Sequence, residues 1–473
     1  MTALSPRLYG LIAVFSIAAT AATLSPGTQQ VTFAKDISPI LQEKCETCHR
    51  PGQGAPMNLQ TYEEVRPWAR SIKYRVASRQ MPPWNIDKSV GIQHFQNDRS
   101  LSDEQIATIV KWVDDGAPLG EKKDLPTAKV WPDDSGWKLA KVLGQEPDFV
   151  VKSEPYTVDA VHQDEWWKPT SDIGIKEERW VRAVEMRTGT LAGRAITHHA
   201  LASLEQVEPN ADPADRAGGA GLLMEWAIGK TYDMYRPGSG KLLEPGAKIR
   251  WEVHYHAVGE KITDHVELAI FLYPKGYVPE HRTRLNLFSA YKTNADLDIP
   301  PNSLAQTQAF HVLKSAARLE NFQPHMHLRG KAMSMEAILP DGEVRMLSFV
   351  NDFNFNWMNN YIYADDDAPV LPKGTVLRIT AYYDNTDKNK TNPDPNQWIG
   401  YGDRTIDEMG HAWVNVTNIS DKDYADCWPN TSQPQQPEWR EPTTKPVALT
   451  VLCAPSGMIT SGGRVRRCAN MSP

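Results

Sequence analysis

Cys45-Glu46-Thr47-Cys48-His49 places two thiols three positions apart, with an imidazole directly after the second. That spacing suits thioether bonds to both vinyl groups of one porphyrin, with the imidazole held beneath its iron. A disulfide or half of a zinc site would use the same side chains. Zinc, however, wants a second Cys or His pair at short range, and the next cysteine is Cys427. The expected cofactor is one covalent haem c, a carrier of single electrons, attached through Cys45 and Cys48 and ligated by His49. Its sixth position calls for a soft, uncharged donor. Met81 lies in Arg79-Gln80-Met81-Pro82-Pro83-Trp84, where prolines stiffen the chain and present the thioether; Met57 and His94 are the fallbacks.

The 13 histidines are not scattered: six fall into His198-His199, His254-Tyr255-His256 and His325-Met326-His327. In a strand, positions i and i+2 share a face, so each His-x-His can aim two imidazoles at one metal. Adjacent His198 and His199 would point to opposite faces, and can share a metal only where the strand bends or ends. Hydrogen-bonded core histidines are the bland alternative. Three sets between residues 198 and 327 favour metal, because imidazole is the commonest transition-metal ligand. Imidazole alone does not choose among zinc, copper, nickel and iron. A thioether would, since soft sulfur holds reduced copper, and Met409 in Gly402-Asp403-Arg404-Thr405-Ile406-Asp407-Glu408-Met409 is placed to supply one. His94, His162, His265, His281 and His311 read as structural or surface residues.

Together these motifs resemble the copper type II, ascorbate-dependent monooxygenases, which include the peptidylglycine α-hydroxylating and dopamine β-hydroxylating enzymes. The chain is more similar still to bacterial relatives in which a cytochrome c domain precedes the copper pair. Pro324-His325-Met326-His327-Leu328-Arg329-Gly330 and Asp407-Glu408-Met409 are the most specific parts, and the resemblance covers residues 30–425. It implies two consecutive antiparallel, jelly-roll-like β-sandwiches, each holding one copper. Carried over, His198, His199 and His254 would surround an electron-storing copper, and His325, His327 and Met409 the copper that binds oxygen and substrate. His256 and His411 depart from the animal pattern; either could add a ligand, replace one or hydrogen-bond behind one.

The rest of the chain supplies the frame for these groups. Residues 1–22 read as a secretion signal: Arg7, an apolar run from Leu8 to Ala18, and Ala19-Thr20-Ala21 as cleavage site. That run is short for a membrane span, so no stable membrane insertion is expected, and haem c attachment outside the cytoplasm agrees with a periplasmic location. Residues 30–120 resemble a small all-α class I cytochrome c domain. There Phe33 to Leu41 shows helical spacing, and Ser102 and Gln105 open a helix that Gly116 and Pro118 end. Residues 121–147 read as a linker, 148–290 and 291–425 as the two copper-binding β-sandwiches, and 426–473 as a tail. Three cysteines remain, Cys427, Cys453 and Cys468, with Cys453–Cys468 the simplest pairing. Residues 205–245 look like an insertion covering the cleft, and Trp357, Met358 and Tyr361 like lining of the second metal. The net charge of −7 without a basic stripe argues against nucleic acid.

The combination points to a dicopper, haem c oxidoreductase. The first expectation is a monooxygenase that hydroxylates a C–H bond of a small organic substrate with O2, fed through the haem by a periplasmic electron donor. A haem-copper reductase or oxidase of another small molecule, or a non-catalytic copper carrier or redox sensor, are the alternatives.

Overall fold

The computed structural model describes residues 30–53, 55–131, 136–163, 165–207, 221–227 and 230–427. The expected secretion signal at 1–22 and the expected pairing of Cys453 with Cys468 lie outside them. No helix among the described residues is long and apolar enough to cross a membrane.

The chain begins helical. Ser38–Lys44 (α1) carries proline in its first turn, where a missing N–H costs nothing. Ala69–Ala77 (α2) and Asp103–Asp114 (α3) follow. At α3 the Ser102 side chain accepts from the Gln105 N–H, and the Gln105 side chain accepts from the Ser102 N–H. These helices bury Phe33, Ile37, Leu41, Ile109 and Trp112 in a core of their own.

Two boundaries differ from the sequence expectation. Residues between α2 and α3 leave the helical unit: Trp84, Ile86 and Phe95 are buried in the far β body, with bridges from Ile86 to Val350 and from Phe95 to Tyr363. The attraction is aromatic surface, since the Trp84 ring meets Tyr361 edge-on at 4.7 Å. The expected linker is also partly packed. Lys138–Leu143 (α4) buries Leu139 against Ala183, Ala269 and Phe271. Glu185 holds the first turn of α4, accepting from the N–H groups of Lys138 and Leu139 at 3.1 and 2.8 Å.

Beyond α4 the protein is β-rich, as expected, with one apolar core around Val184, Trp251 and Ile270 and another around Met326, Met335 and Ile379. A four-stranded sheet in the order 304–312, 376–384, 330–338, 344–350 covers the second. The two bodies are not separate sheets. One network of 16 described strands crosses the expected division at residue 290.

Six of its strands carry the site: Thr197–Glu205 (β1), Leu222–Ala227 (β2), Lys248–Tyr255 (β3), His281–Ser289 (β4), Asn321–Met326 (β5) and Gly410–Asn418 (β6). Their spatial order is β3-β1-β2-β4-β6-β5, antiparallel at every step. In a flat sheet, four strand steps would hold β1 and β5 roughly 19 Å apart. The rings of His199 on β1 and His325 on β5 are 5.7 Å apart, so the sheet curls back on itself. β2 and β4 pair only at Leu222 and Leu285, and the trough of the site opens beside that single contact. The insertion expected over 205–245 is, where described, sheet: β2 and Ser239–Leu243 both belong to it.

Candidate metal centre

The first histidine set is built by a register shift. Along β1 and β3, His254 pairs with His199 and the next residue, Tyr255, pairs with Thr197, so His198 is the extra residue of a β-bulge. A bulge bends its strand and re-aims one side chain, which is how two adjacent histidines come to face one point. The ligand atoms of His198, His199 and His254 all lie within 4.8 Å of one another. His198 Nδ1 and His199 Nδ1 are 2.9 Å apart, so their lone pairs must share a proton or face a cation. Trp166 stacks on His254 at 4.8 Å and meets His199 edge-on at 5.0 Å. His256 stands apart from the trio. It follows the last residue of β3, and its ring is 6.4 Å from that of His198.

The second set adjoins the first. His325 ends β5 one residue from its tip, and His327 opens the turn beyond it, their rings 5.3 Å apart. His411 on β6 is the cross-strand partner of His325 and stacks on it at 4.7 Å. It is thus part of the array, whereas the sequence left its role open. Met409 is buried and lines the same cavity as His199, His325 and His411. A second thioether lies on the other side: Met358 Sδ is 3.1 Å from His325 Nδ1. His327 Nδ1 is 3.3 Å from the Asp407 carbonyl. With Nδ1 engaged in both residues, Nε2 is the nitrogen left to bind a metal.

Glu408 holds this second set together. Buried, it accepts from the N–H groups of His327, Arg329 and Met409 at 2.9, 2.7 and 3.1 Å, clamping the 325–329 turn to the 407–409 segment. Burial pushes its carboxyl up to about 7 despite those donors. Arg329 extends the clamp through Nε to Asn385 and a terminal nitrogen to the Ile406 carbonyl. Gly410 is needed beside Met409, because a Cβ there would sit 2.0 Å from the Tyr383 hydroxyl.

Electrostatically the array is tuned to stay neutral. Burial first, then the neighbouring imidazoles, hold His199 and His325 well below the ordinary imidazole range. Burial brings His327 down to about 4 and His411 to about 3. Metal ligands must be deprotonated, so imidazoles that resist protonation in a buried cluster fit a transition metal. Thioether sulfur beside them fits copper better than zinc.

The Cys45-Glu46-Thr47-Cys48-His49 motif follows α1 directly. Cys45 caps the helix, and the N–H groups of Cys48 and His49 return to its carbonyl at 3.1 and 3.0 Å. His49 Nδ1 is 3.1 Å from the Met57 carbonyl, which leaves Nε2 for an axial bond. Burial raises the Cys45 thiol to about 12 and lowers His49. These residues fit covalent haem attachment. Met57 packs on the helical core, and Met81 is half-buried at the start of the Pro-Pro-Trp run. His94 instead meets Asp367 at 3.1 Å on the β body. Three other histidines have ordinary partners: His162 the Gln163 carbonyl, His265 Glu267, and His311 the Ser289 carbonyl.

A cavity of about 230 Å³ opens on one side of the array, lined by His199, His325, His411 and Met409 together with Leu222, Leu285, Leu287, Trp413 and Glu225. Arg250, Glu252 and Asp403, all partly exposed, line it as well. On the other side, His198, Phe355 and Met358 enclose a much smaller space. Met358 was named in the sequence as possible lining. Glu225 carried no signal there, and Glu408 stood in the Asp407-Glu408-Met409 motif without a role, because their partners are distant along the chain.

No family model matches the chain, and no curated protein matches it. Among solved structures, the chain is similar to a particle of infectious bursal disease virus at 12% identity, over 62% of this chain and 72% of that one, with a TM-score of 0.18. The VP2 subviral particle of the same virus matches at 12% identity, over 62% and 75%, with a TM-score of 0.17. An oxalate decarboxylase variant from B. subtilis matches at 9% identity, over 60% and 80%, with a TM-score of 0.11. Likenesses this faint carry no argument, and the functional reading rests on the residues of the site itself.

Proposed function

We propose that the chain is an exported dicopper, haem c oxidoreductase, a monooxygenase that hydroxylates a C–H bond of a small organic molecule. The balance is one substrate C–H, one O2, two electrons and two protons in, and one alcohol and one water out. The electrons come singly from a periplasmic donor. Bound at these sites, copper would supply dioxygen binding and one-electron storage, and haem c one-electron delivery.

The observation that carries this reading is the convergence of distant histidine sets: His254 joins His198 and His199, and His199 meets His325 on a cavity that Met409 also lines. His198, His199 and His254 would hold the first copper; His325, His327 and Met409 would hold the second, with His411 stacked on His325. The two sides of the array suit different tasks. The cavity side, walled by leucines, admits substrate to His325 and Met409 while limiting water. The other side faces the Met81 loop: Asn359 Nδ2 donates to the Pro83 carbonyl at 3.1 Å, and its neighbour Met358 touches His325. Gly52, just past the haem motif, accepts from Arg194 at 3.1 Å, four residues before His198. The chain thus provides contacts from the helical unit to both histidine sets, away from the substrate cavity.

One observation favours a second reading. The 5.7 Å between the His199 and His325 rings suits a coupled pair of metals reducing a small molecule without hydroxylating anything. Metal analysis with oxygen uptake separates the two. The proposal expects two coppers and one iron per chain and uptake abolished in His325→Ala and Met409→Ala, with a hydroxylated product. Zinc in both sites, or uptake without product, overturns it.

A further inference from the structure

Glu225 is the buried carboxyl group lining the cavity that the copper reading leaves unused. It sits on β2 and is 1% exposed. Gln323 Nε2 donates to one of its oxygens, Oε2, while Gln323 Oε1 accepts from Lys230 Nζ at 3.4 Å. Lys230 is itself paired with Asp233 at 3.2 Å. This chain of partners has a direction. An ammonium can only donate, so the Gln323 amide turns its oxygen to Lys230 and its NH2 to Glu225. Glu225 Oε2 is thereby an acceptor, and a proton on the carboxyl belongs on Oε1. No described residue hydrogen-bonds Oε1, and the side chain lines the cavity. Burial, opposed by Lys230, raises this carboxyl to about 7, which keeps a protonated fraction near neutral pH.

The walls beside it are apolar: Leu222, Leu285, Leu287 and Trp413. An apolar cavity of about 150 Å³ accepts benzene, so one of about 230 Å³ has room for a ring with a short substituent. We infer that Glu225 is the substrate anchor, donating from Oε1 to the hydroxyl or carbonyl oxygen of a small neutral molecule whose apolar body lies on those walls. The inference rests on the monooxygenase reading and names its substrate class: an oxygen-bearing, uncharged hydrocarbon held with its C–H bonds toward His325 and Met409.

Equilibrium dialysis tests this on the full chain as isolated, kept reduced under nitrogen, with benzyl alcohol, toluene and benzylamine as probes. Benzyl alcohol should bind about tenfold tighter than toluene, the value of one net hydrogen bond. Glu225→Gln should keep that preference, because Gln323 would take the new amide oxygen and leave its NH2 facing the cavity. Glu225→Leu should erase it. Equal affinity for alcohol and toluene in the unaltered protein, a preference for benzylamine, or a preference surviving in Glu225→Leu overturns the proposal. The unaltered protein and Glu225→Gln keep the test decisive if the leucine variant does not fold. Should copper or oxygen uptake prove absent while the alcohol preference persists, the monooxygenase reading falls and the anchor stands. Copper and uptake without the preference give the reverse.

Discussion

The two ends of the curled sheet build their histidine clusters by different means. At the first end, His198, His199 and His254 rest on two long paired strands, and a single bulge does the aiming. All the donors are nitrogen. At the second end, His325 and His327 straddle a strand terminus, and a buried carboxylate ties their turn to Met409 through three backbone N–H groups. Two thioethers flank that end. Strand register gives the first cluster a rigid cage suited to holding one ion through repeated electron transfer. The clamped turn gives the second a mixed donor set that favours reduced copper and faces the larger cavity.

Breaking the clamp should produce the largest difference between the ends. Glu408→Gln leaves one oxygen for three N–H donors, so a loss of about 3 kcal/mol is expected from the buried donors left unsatisfied. Copper should be lost from the second site while the first keeps its ion. Melting curves and metal analysis together check this, and equal loss from both sites would show the ends are not independent.

The two thioethers sharpen the contrast. Met409→Leu should weaken Cu(I) binding about tenfold or more, whereas Met358→Leu, behind His325, should leave the copper count intact. In rapid mixing of reduced haem with oxidised copper sites, Met358→Leu should slow haem oxidation. Unchanged rates would remove Met358 from the path, and no haem oxidation in the unaltered protein would end the electron-supply role.

Acid should act on both ends together. In the metal-free unfolded chain the imidazoles take protons near pH 6.5, whereas the folded protein resists down to about 4 at His327 and about 3 at His411. Their contribution to stability is complete above pH 6.5 and lost as pH falls toward those values. Glu408 and Glu225, raised from 4.5 to about 7, run the other way: their contribution is complete below 4.5 and lost as pH rises through 7. Four lowered imidazoles outweigh two raised carboxyls on the acid side. The melting temperature of metal-free protein should climb from pH 4 to about 6.5, dip slightly as the two carboxyls ionise near 7, and then level. A flat profile would contradict the burial of these groups.

The smallest effect belongs to His256. Its ring lies outside the trio, so His256→Ala should retain copper at both sites and change oxygen uptake less than about tenfold, the lower range for a residue behind a ligand. Loss of the first copper would move His256 into the cage.

Part of the site was legible as residue types: clustering along the chain pointed to His198, His199 and His254, whose ligand atoms the fold brings within 4.8 Å of one another. The stated geometry was less well anticipated. The i, i+2 rule expected each His-x-His on one strand face, yet β3 ends at Tyr255 and β5 at Met326, leaving His256 and His327 beyond their strands. The bend expected as the condition for His198 and His199 to share a metal is supplied by the bulge. Residues 84–97 were assigned to the helical unit because sequence neighbours are the default partners. Their aromatic surface is buried instead on residues 347–363.

By itself the sequence determined the inventory: a Cys-x-x-Cys-His box, imidazoles in tight sets, soft sulfur near one of them, and alternating strands to hold them. These depend on local chemistry and on periodicities of a few residues. Tertiary structure alone decided that strands from two expected sandwiches share one sheet, and that its curl brings His199 to His325. It also decided that Glu225 lines the cavity beside the array and that Glu408 clamps the turn bearing His327. Such contacts join residues far apart along the chain, and they arise from burying apolar faces as a whole, which no short spacing encodes.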